Sequence, residues 1–324
     1  MAKYTEIKGT FVQNFSDDPT NAVDGQIWYN TGTGLFKFKT GDTAVQAWST
    51  AANLNNSHDK AAGAGTQTAA ICFGGDVLPY GNTELYNGST WTEVNDLNTG
   101  KPRCMGAGIQ TAAICFGGFP LAPSTTETWN GTNWTEVNDL NTGRRDGGAA
   151  GTYTSALAFG GQPTPLDKVE TESWNGTNWT EVNDLNEGRI EIAGAGTDNT
   201  SALGFGGNVP QANSTESWNG TNWTVVNGMS RTYFRALAGD GTQTSALAFG
   251  GLGGPPQAVT ESWNGTNWTE LNDLNLARSY LSGAGITTSA LAFGGGPPTE
   301  AETATEEFSL TDVVTLVGTP EYDV

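Results

Sequence analysis

The stretch Ser155-Ala156-Leu157-Ala158-Phe159-Gly160-Gly161 decides the fold, because its Phe-Gly-Gly ending recurs along the chain. The six copies begin at Phe73, Phe116, Phe159, Phe205, Phe249 and Phe293, at intervals of 43, 43, 46, 44 and 44 residues. A nearly fixed period of this length, marked by Gly and aromatic residues, is typical of the blades of a β-propeller. The sequence therefore predicts an all-β repeat protein.

Each repeat contains four strand-like pieces. A Gly/Ala-rich piece, as at 106–108, precedes the apolar strand that ends in Phe-Gly-Gly. A third piece, Thr-Glu-Ser-Trp at 171–174, is followed by Trp-Thr-Glu-Val-Asn-Asp-Leu at 179–185. The Asn-Gly-Thr-Asn between the last two pieces is a strong hairpin signal, because Asn and Gly tolerate positive φ. Gly in a strand marks close backbone approach, so we expect the first pieces to lie nearest the ring axis.

The sixth repeat lacks its fourth piece, and the other end of the chain supplies a candidate. Trp48-Ser49-Thr50-Ala51-Ala52-Asn53-Leu54 falls into register with residues 134–140. The sequence therefore predicts a six-bladed propeller over residues 46–310, closed by an N-terminal strand, with 311–324 as a C-terminal tail. Such closure removes a free sheet edge.

These repeats resemble the kelch-type propeller. The matching features are Gly-Gly after the second strand, Trp at the start of the fourth and a basic residue before the first. The resemblance covers residues 46 to about 310 and implies a kelch-like ring of four-stranded blades. The chain departs from the family in the Trp that mostly ends its third strands, next to the compact Asn-Gly-Thr-Asn turn.

Composition narrows the class of function. The 324 residues include 14 Lys and Arg against 34 Asp and Glu, a formal charge of −20, which disfavours nucleic acid as a partner. No apolar run reaches the length of a membrane span, and the start MAKYTEIKG lacks a secretory apolar region, so we expect cytosolic synthesis without membrane insertion. The cysteines lack metal-ligand spacing, and we expect neither a metal nor another cofactor.

The sequence offers little for catalysis. His58 is the single imidazole, no Gly-x-Ser-x-Gly is present, and we expect no enzyme activity. A carbohydrate-active enzyme would need carboxylates that converge in one pocket. Against this, one repeat position, typical of a solvated outer strand, carries Glu93, Glu136, Glu181 and Glu270. The recurring Asn-Asp-Leu-Asn fits turn capping better than calcium binding.

The segments after each Phe-Gly-Gly differ most between the copies. We expect them to gather on one face with the loops between blades, either through neutral drift or as a host-binding surface. The candidate binding residues are Tyr80, Phe119, Leu121, Leu166, Asp167, Lys168 and Leu252.

One basic residue stands in the loop before each first strand. These residues are His58, Lys101, Arg144, Arg189, Arg231 and Arg278. They either pair with loop aspartates such as Asp96 and Asp184, or form an anion-binding ring at the channel mouth.

Residues 1–45 lie outside the repeat and contain a predicted hairpin around 31–34. So short a segment cannot cover its own apolar surface, so it should dock on a partner or on other copies of itself. The candidate docking residues are Phe11, Phe15, Ile27, Trp28, Tyr29, Phe36 and Phe38.

The run 24–31 with Leu35-Phe36-Lys37 resembles the opening of tail-fibre and other appendage proteins of tailed bacteriophages. The resemblance implies a virion protein, assembled in the host cytoplasm, that attaches to other virion proteins through residues 1–45. A propeller behind such a segment would present itself to host-surface glycans. A capsid decoration protein and a non-viral bacterial kelch-like scaffold remain alternatives.

Overall fold

A computed structural model describes residues 12–19, 26–38, 45–119, 124–162, 169–208, 213–231, 234–296 and 302–311. Regular structure in these ranges is β-strand, apart from one short 3₁₀ turn at 302–303. The chain divides into two compact units, residues 1–45 with 310–324 and residues 46–309. No helix within the described ranges is long and apolar enough to cross a membrane. The C-terminal tail from residue 312 lies outside these ranges.

The first unit holds a three-stranded sheet of β1 (Gln13–Phe15), β2 (Ile27–Asn30) and β3 (Leu35–Phe38). Strand β1 runs parallel to β2, and β2 pairs with β3 in an antiparallel hairpin that sets Tyr29 opposite Phe36. The hairpin expected around residues 31–34 is confirmed. We call these three strands the N-terminal sheet.

The second unit contains six four-stranded sheets, numbered one to six along the chain. Sheet one comprises β5 (Ala62–Thr66), β6 (Ala69–Phe73), β7 (Thr83–Tyr86) and β8 (Trp91–Glu93). Sheet two comprises β9 (Met105–Ile109), β10 (Ala112–Phe116), β11 (Thr126–Trp129) and β12 (Trp134–Val137). Sheet three comprises β13 (Gly148–Thr152), β14 (Ser155–Phe159), β15 (Thr171–Trp174) and β16 (Trp179–Val182).

The remaining three sheets follow the same plan. Sheet four comprises β17 (Ala193–Asp198), β18 (Ser201–Phe205), β19 (Thr215–Trp218) and β20 (Trp223–Val226). Sheet five comprises β21 (Ala238–Thr242), β22 (Ser245–Phe249), β23 (Thr260–Trp263) and β24 (Trp268–Glu270). Sheet six comprises β25 (Ser282–Ile286), β26 (Ser289–Phe293), β27 (Thr305–Thr311) and, beside β27, the early strand β4 (Val45–Thr50).

The Asn-Gly-Thr-Asn turn closes the outer hairpin as expected. In sheet two, Asn130 Oδ1 accepts hydrogen bonds from the backbone nitrogens of Thr132 and Asn133, both at 2.9 Å. Gly131 has φ 91°, which the turn requires and a side chain would strain. The flanking Trp129 and Trp134 are register partners with ring centroids 5.5 Å apart.

Aromatic residues join each sheet to the next. The Phe73 ring of sheet one lies over Gly106 of sheet two, where a Cβ would stand 2.4 Å from Phe73 Cζ. The Trp134 ring of sheet two packs on the same Phe73 at 4.9 Å, and its Nε1 donates to Thr83 Oγ1 of sheet one at 3.0 Å. Phe, Gly and Trp therefore recur together because each is needed at the contact between sheets.

The same tryptophan-to-threonine bond recurs across all six sheets. The pairs are Trp91 to Thr305, Trp134 to Thr83, Trp179 to Thr126, Trp223 to Thr171, Trp268 to Thr215 and Trp48 to Thr260, at 3.0–3.1 Å. The first strands contact one another in the cyclic order β5, β9, β13, β17, β21, β25 and β5.

The expected all-β architecture of four-stranded antiparallel sheets is confirmed and is consistent with a β-propeller. With the N-terminal sheet the described residues form seven sheets, six of them four-stranded. The three cysteines, Cys72, Cys104 and Cys115, are free and buried.

Candidate functional site

Two adjoining cavities lie along the first strands. A cavity of about 240 Å³ is lined by all six first strands, mostly by Gly and Ala. A second one, of about 100 Å³, takes two residues from each sheet, and we call it the mouth pocket. Its lining is Lys60, Ala61, Arg103, Cys104, Asp146, Gly147, Glu191, Ile192, Ala236, Leu237, Tyr280 and Leu281. The second residue of each pair also lines the larger cavity, so the two cavities share six lining residues.

The first residue of each pair has an unusual backbone. These six residues, with φ in brackets, are Lys60 (54°), Arg103 (59°), Asp146 (55°), Glu191 (55°), Ala236 (54°) and Tyr280 (56°). They are the non-Gly residues with positive φ among those the structure describes. Because Cβ crowds the carbonyl in this region, each costs roughly 1–2 kcal/mol. We call these six positions the αL ring.

Backbone hydrogen bonds between sheets account for this conformation. The nitrogen of Glu191 donates to the carbonyl of Asp146 at 2.6 Å, and the nitrogen of Ala236 donates to Glu191 at 3.0 Å. Tyr280 continues the series to Ala236 at 2.7 Å, and Lys60 of sheet one donates to Tyr280 of sheet six at 3.0 Å. The left-handed turn presents each amide to the neighbouring sheet, so the contacts between sheets impose the positive φ.

Charged side chains of the αL ring are paired with one another and with nearby loops. Glu191 accepts from the Tyr280 hydroxyl at 2.7 Å and from Arg235 Nη1 at 2.5 Å. Lys60 Nζ lies 4.6 Å from the centre of the Tyr280 ring. Arg103 Nη1 lies 3.5 Å from Asp146 Oδ2.

Burial at the pocket shifts the pKa of two of these side chains, Asp146 and Tyr280. Burial raises the pKa of Asp146, and Arg103 opposes that shift by favouring the carboxylate. Burial and the hydrogen bond to Glu191 both raise the pKa of Tyr280, which keeps its proton on the hydroxyl. Tyr280 therefore acts as a fixed donor to Glu191.

The divergent loops that follow Phe-Gly-Gly lie beside the αL ring. Residues next to the αL ring form β-bridges with the residue after Phe-Gly-Gly, as Arg145 does with Gln162 and Arg235 with Leu252. Phe119 is 43% exposed, and the Arg145 guanidinium lies 4.3 Å from its ring centre. Phe119 and Leu252 therefore lie beside the loops between the sheets. We call this surface, with the mouth pocket, the mouth face.

Other expected binding residues have mixed placements. Tyr80 and Leu252 are half-buried. Leu78, which the sequence reasoning passed over, is 73% exposed. Four candidates lie outside the described residues: Leu121, Leu166, Asp167 and Lys168.

The basic residues expected at the channel mouth are placed elsewhere. Five are at most 1% exposed: His58, Lys101, Arg144, Arg189 and Arg278. Each pairs with the glutamate of its sheet's third strand: Glu84, Glu127, Glu172, Glu216 and Glu306, respectively. An anion-binding ring of these residues is therefore wrong, because their charges are buried and already neutralised.

Sheet four shows how such a pair is built. Arg189 Nη2 donates to Glu216 Oε1 at 2.7 Å, and its Nη1 donates to the carbonyls of Gly206 at 3.1 Å and Ser214 at 2.8 Å. Glu216 Oε2 accepts from the Asn186 nitrogen at 2.8 Å. Pairing with Asp184 was also wrong, because Asp184 instead accepts from a backbone nitrogen at 3.3 Å.

The first and second sheets use other cations. Lys101 Nζ stands 3.0 Å from Glu127 Oε1, an ion pair without hydrogen-bond geometry. His58 Nε2 stands 3.4 Å from Glu84 Oε1. Burial opposes the charged imidazole, but contacts with Cys72, Glu84 and the Gly74 carbonyl raise the pKa of His58 from 6.5 to about 10.

Sheet five lacks the buried cation. Its loop is one residue longer, and Phe234 occupies the equivalent place, two positions before Ala236 of the αL ring. Arg231 is exposed instead and pairs with Glu270 at 3.0 Å. Glu261, the third-strand glutamate, is fully buried, and its Oε1 has no hydrogen-bond partner.

A second acid with a buried carboxylate oxygen belongs to the same sheet: Asp240 is half-buried and lines the larger cavity. Asp240 stands where the other first strands carry Ala64, Ala107, Ala150, Ala195 and Ala284. Its Oδ2 lacks a hydrogen-bond partner and lies against Gly283, where a Cβ would stand only 2.3 Å away. Burial raises the pKa of Asp240 well above its usual value.

The N-terminal sheet exposes part of the expected docking set. Ile27 is 42% exposed and Phe36 is 41% exposed, while Phe15 and Tyr29 are half-buried. Trp28 is a correction: it is fully buried, and its Nε1 donates to Asp18 Oδ1 at 3.0 Å, so it is not available for docking. Phe11 and the side chain of Phe38 lie outside the described residues.

Asp18 organises this sheet, which sequence reasoning missed. Its carboxylate also accepts from Asn30 at 2.8 Å and from Lys37 at 2.5 Å. These hydrogen bonds, that to Lys37 first, lower the pKa of Asp18. In the sequence, Asp18 stands shortly before a hairpin whose polar residues alternate with aromatic ones, and this spacing was the signal for its role. The aromatic residues of the same hairpin directed the interpretation to docking instead.

No group of three or more His, Cys, Asp or Glu in the described parts of the chain could hold a metal ion. The recurring glutamates are exposed on fourth strands, as expected: Glu93, Glu136, Glu181 and Glu270. Comparison of the chain with models of protein families gave no match, and comparison with curated protein sequences gave no match either.

Proposed function

We propose that the six four-stranded sheets are the blades of one closed six-bladed propeller, with β4 as the outer strand of the last blade. The support is that β4 supplies the same contacts as every other fourth strand. Trp48 Nε1 donates to Thr260 at 3.0 Å, and the nitrogens of Ala51 and Leu54 donate to the carbonyls of Thr305 and Thr303, both at 2.9 Å.

Deletion of residues 1–54 tests this proposal. It removes an outer strand and two buried side chains, so the thermal midpoint of the whole unit should fall by several degrees. Deletion of residues 1–40 is the control, because it removes the N-terminal sheet and keeps β4. Equal midpoints for the two deletions would contradict closure by β4.

We further propose that the protein is a structural virion component of a tailed phage, of the tail-fibre or receptor-binding type. It would attach to other virion proteins through residues 1–45 and present the propeller to host-surface glycans. One observation carries this: the segment that resembles phage appendage openings forms a small hairpin with exposed Ile27 and Phe36. A sheet of this size cannot bury both of its faces alone.

The mouth face supports binding rather than catalysis. A catalytic carboxylate must contact the substrate as an acid, a base or a nucleophile. Asp146 and Glu191 instead face cations or a tyrosine of their own chain. The divergent loops around them stand on one repeated framework, which is the usual arrangement of a binding surface.

Mass spectrometry of purified particles tests the virion role. We expect the chain to be present, and antibody labelling to place it on the tail rather than the capsid. Its absence would contradict the proposal and favour the intracellular scaffold, whereas label on the capsid would favour decoration.

Substitution tests the attachment surface. Ile27→Asp with Phe36→Asp should reduce the amount of protein in particles at least tenfold, because both place charge in an apolar contact. Val225→Asp is the matched control, since Val225 is 59% exposed on strand β20. Equal incorporation of both variants would place the attachment elsewhere.

A further inference from the structure

The αL ring combines a uniform backbone with varied side chains. All six residues have φ between 54° and 59°, yet their side chains are Lys, Arg, Asp, Glu, Ala and Tyr. Gly would adopt this conformation without strain, and it is absent from all six positions. Strain retained at a pocket indicates that the side chains there serve a function.

The charges of the ring are balanced. Lys60 and Arg103 come from sheets one and two, and Asp146 and Glu191 come from sheets three and four. The chain as a whole carries a formal charge of −20, so this pocket is a locally neutral site on an acidic protein.

Neutral hydroxyl groups suit such a lining better than ions do. Each carboxylate already faces a cation, so a charged ligand would have to displace an existing partner. A hydroxyl both donates and accepts, so it can bridge a carboxylate and a guanidinium without breaking their pairing. The exposed Phe119 ring at the rim offers an apolar surface for the CH groups of a sugar.

The mouth pocket is small. Its volume of about 100 Å³ is enough for several ordered water molecules. The terminal residue of a saccharide can insert one edge into such a space while the rest of the chain stays outside.

We propose that the mouth pocket binds the neutral terminal residue of a saccharide, held by Lys60, Arg103, Asp146, Glu191 and Tyr280. This inference rests on the proposed function for its source of ligand, the host surface. It assigns the specificity to the αL ring rather than to the tips of the loops.

An array of immobilised oligosaccharides, probed with the full chain, tests the inference. The oligosaccharides differ in their terminal residue: neutral hexoses, N-acetylated hexosamines, uronic acids and unsubstituted hexosamines. We expect binding to one or more neutral termini, and loss of binding when that terminal residue is removed. No binding at all, binding to charged termini alone or binding to internal residues would each overturn the proposal.

A charge-balanced double variant tests the residues. Lys60→Gly with Glu191→Gly removes one cation and one anion and relieves two positive-φ strains. We expect binding to fall at least tenfold while the melting temperature rises or stays within about 2 °C. Side chains kept only for structure would instead give a lower melting temperature and unchanged binding, which would overturn the assignment.

The matched control is Arg231→Ala with Glu270→Ala. This exposed pair carries the same charges and does not line the pocket, so binding should remain at the wild-type level. Equal loss in both variants would overturn the assignment to the αL ring. Virion incorporation reports separately on the proposed function, because it depends on residues 1–45 and not on the pocket.

Discussion

Sheets four and five have the same backbone plan, but the buried glutamate of the third strand has a cation partner in sheet four and a phenylalanine in its place in sheet five. In sheet four Glu216 meets the Arg189 guanidinium, whereas in sheet five Glu261 faces a site where Phe234 replaces the cation. Sheet five also carries the half-buried Asp240, with an unpaired Oδ2, where its neighbours carry Ala. The repeat therefore tolerates loss of the ion pair in one copy, and this copy should respond differently to mutation and to pH.

The largest expected effect is on sheet four. Arg189→Leu leaves Glu216 buried without its cation and should lower the free energy of unfolding by about 3–5 kcal/mol. Denaturant titration measures this. The control is Arg231→Leu in sheet five, where the side chain is exposed, and it should change stability by no more than about 0.5 kcal/mol. Similar losses in both variants would remove the distinction between the two sheets.

Asp240→Ala should act in the opposite direction. It restores the residue found in the other five first strands and removes an unpaired buried carboxylate, so we expect a gain of about 1–3 kcal/mol at pH 7. The folded pKa of Asp240 is raised, so the wild type is most favoured in acid and loses stability as pH rises above about 4. The gain should therefore shrink toward low pH, and a gain independent of pH would contradict this account.

The pH dependence of stability tests the ion pair of His58 in sheet one. Its pKa is raised from 6.5 to about 10, so its contribution is complete below pH 6.5 and is lost as pH rises through about 10. Lys101 holds the equivalent place in sheet two, so His58→Lys should flatten the alkaline loss of stability. Thermal melts between pH 6 and pH 10 measure it. Parallel curves for the two proteins would contradict a charged His58.

The smallest expected effect is at Glu261. Glu261→Gln removes a carboxylate that has no cation partner among the described residues and keeps an acceptor for the Ser230 nitrogen, so stability should change by less than about 1 kcal/mol. Glu216→Gln, its counterpart, leaves Arg189 unpaired and should cost about 3 kcal/mol or more. Equal costs at both positions would show that Glu261 has a charged partner after all.

The features that depend on local sequence, namely turns and strand register, could be predicted. Phe159-Gly160-Gly161, the Trp174 and Trp179 turn and the register of Trp48 with Trp134 each gave a correct local structure. These features depend on residues close in the chain or on exact repetition. The outer hairpins and the composition of the sheets could therefore be predicted.

The site was harder to predict, because its ion pairs and hydrogen bonds join residues that are far apart in the sequence. Arg189 and Glu216 are 27 residues apart, and the loop aspartates were nearer candidates. The αL ring depends on backbone bonds between different sheets, such as Tyr280 to Ala236, which no repeat period encodes. In sheet five Phe234 occupies the place of the buried cation, and Arg231, three residues earlier, was wrongly aligned with the cations of the other sheets.

The placement of β4 has a mechanical consequence. Strand β4 leads directly from the N-terminal unit and lies beside β27, which is the last strand of the repeat unit. Tension between an anchored N-terminus and a ligand held at the mouth face would enter the repeat unit through β4. Trp48, bonded to Thr260 of sheet five and packed on Phe249, would spread that load to a second sheet. Under force, the contacts of β4 should therefore be the first to yield, while the other five sheets remain intact.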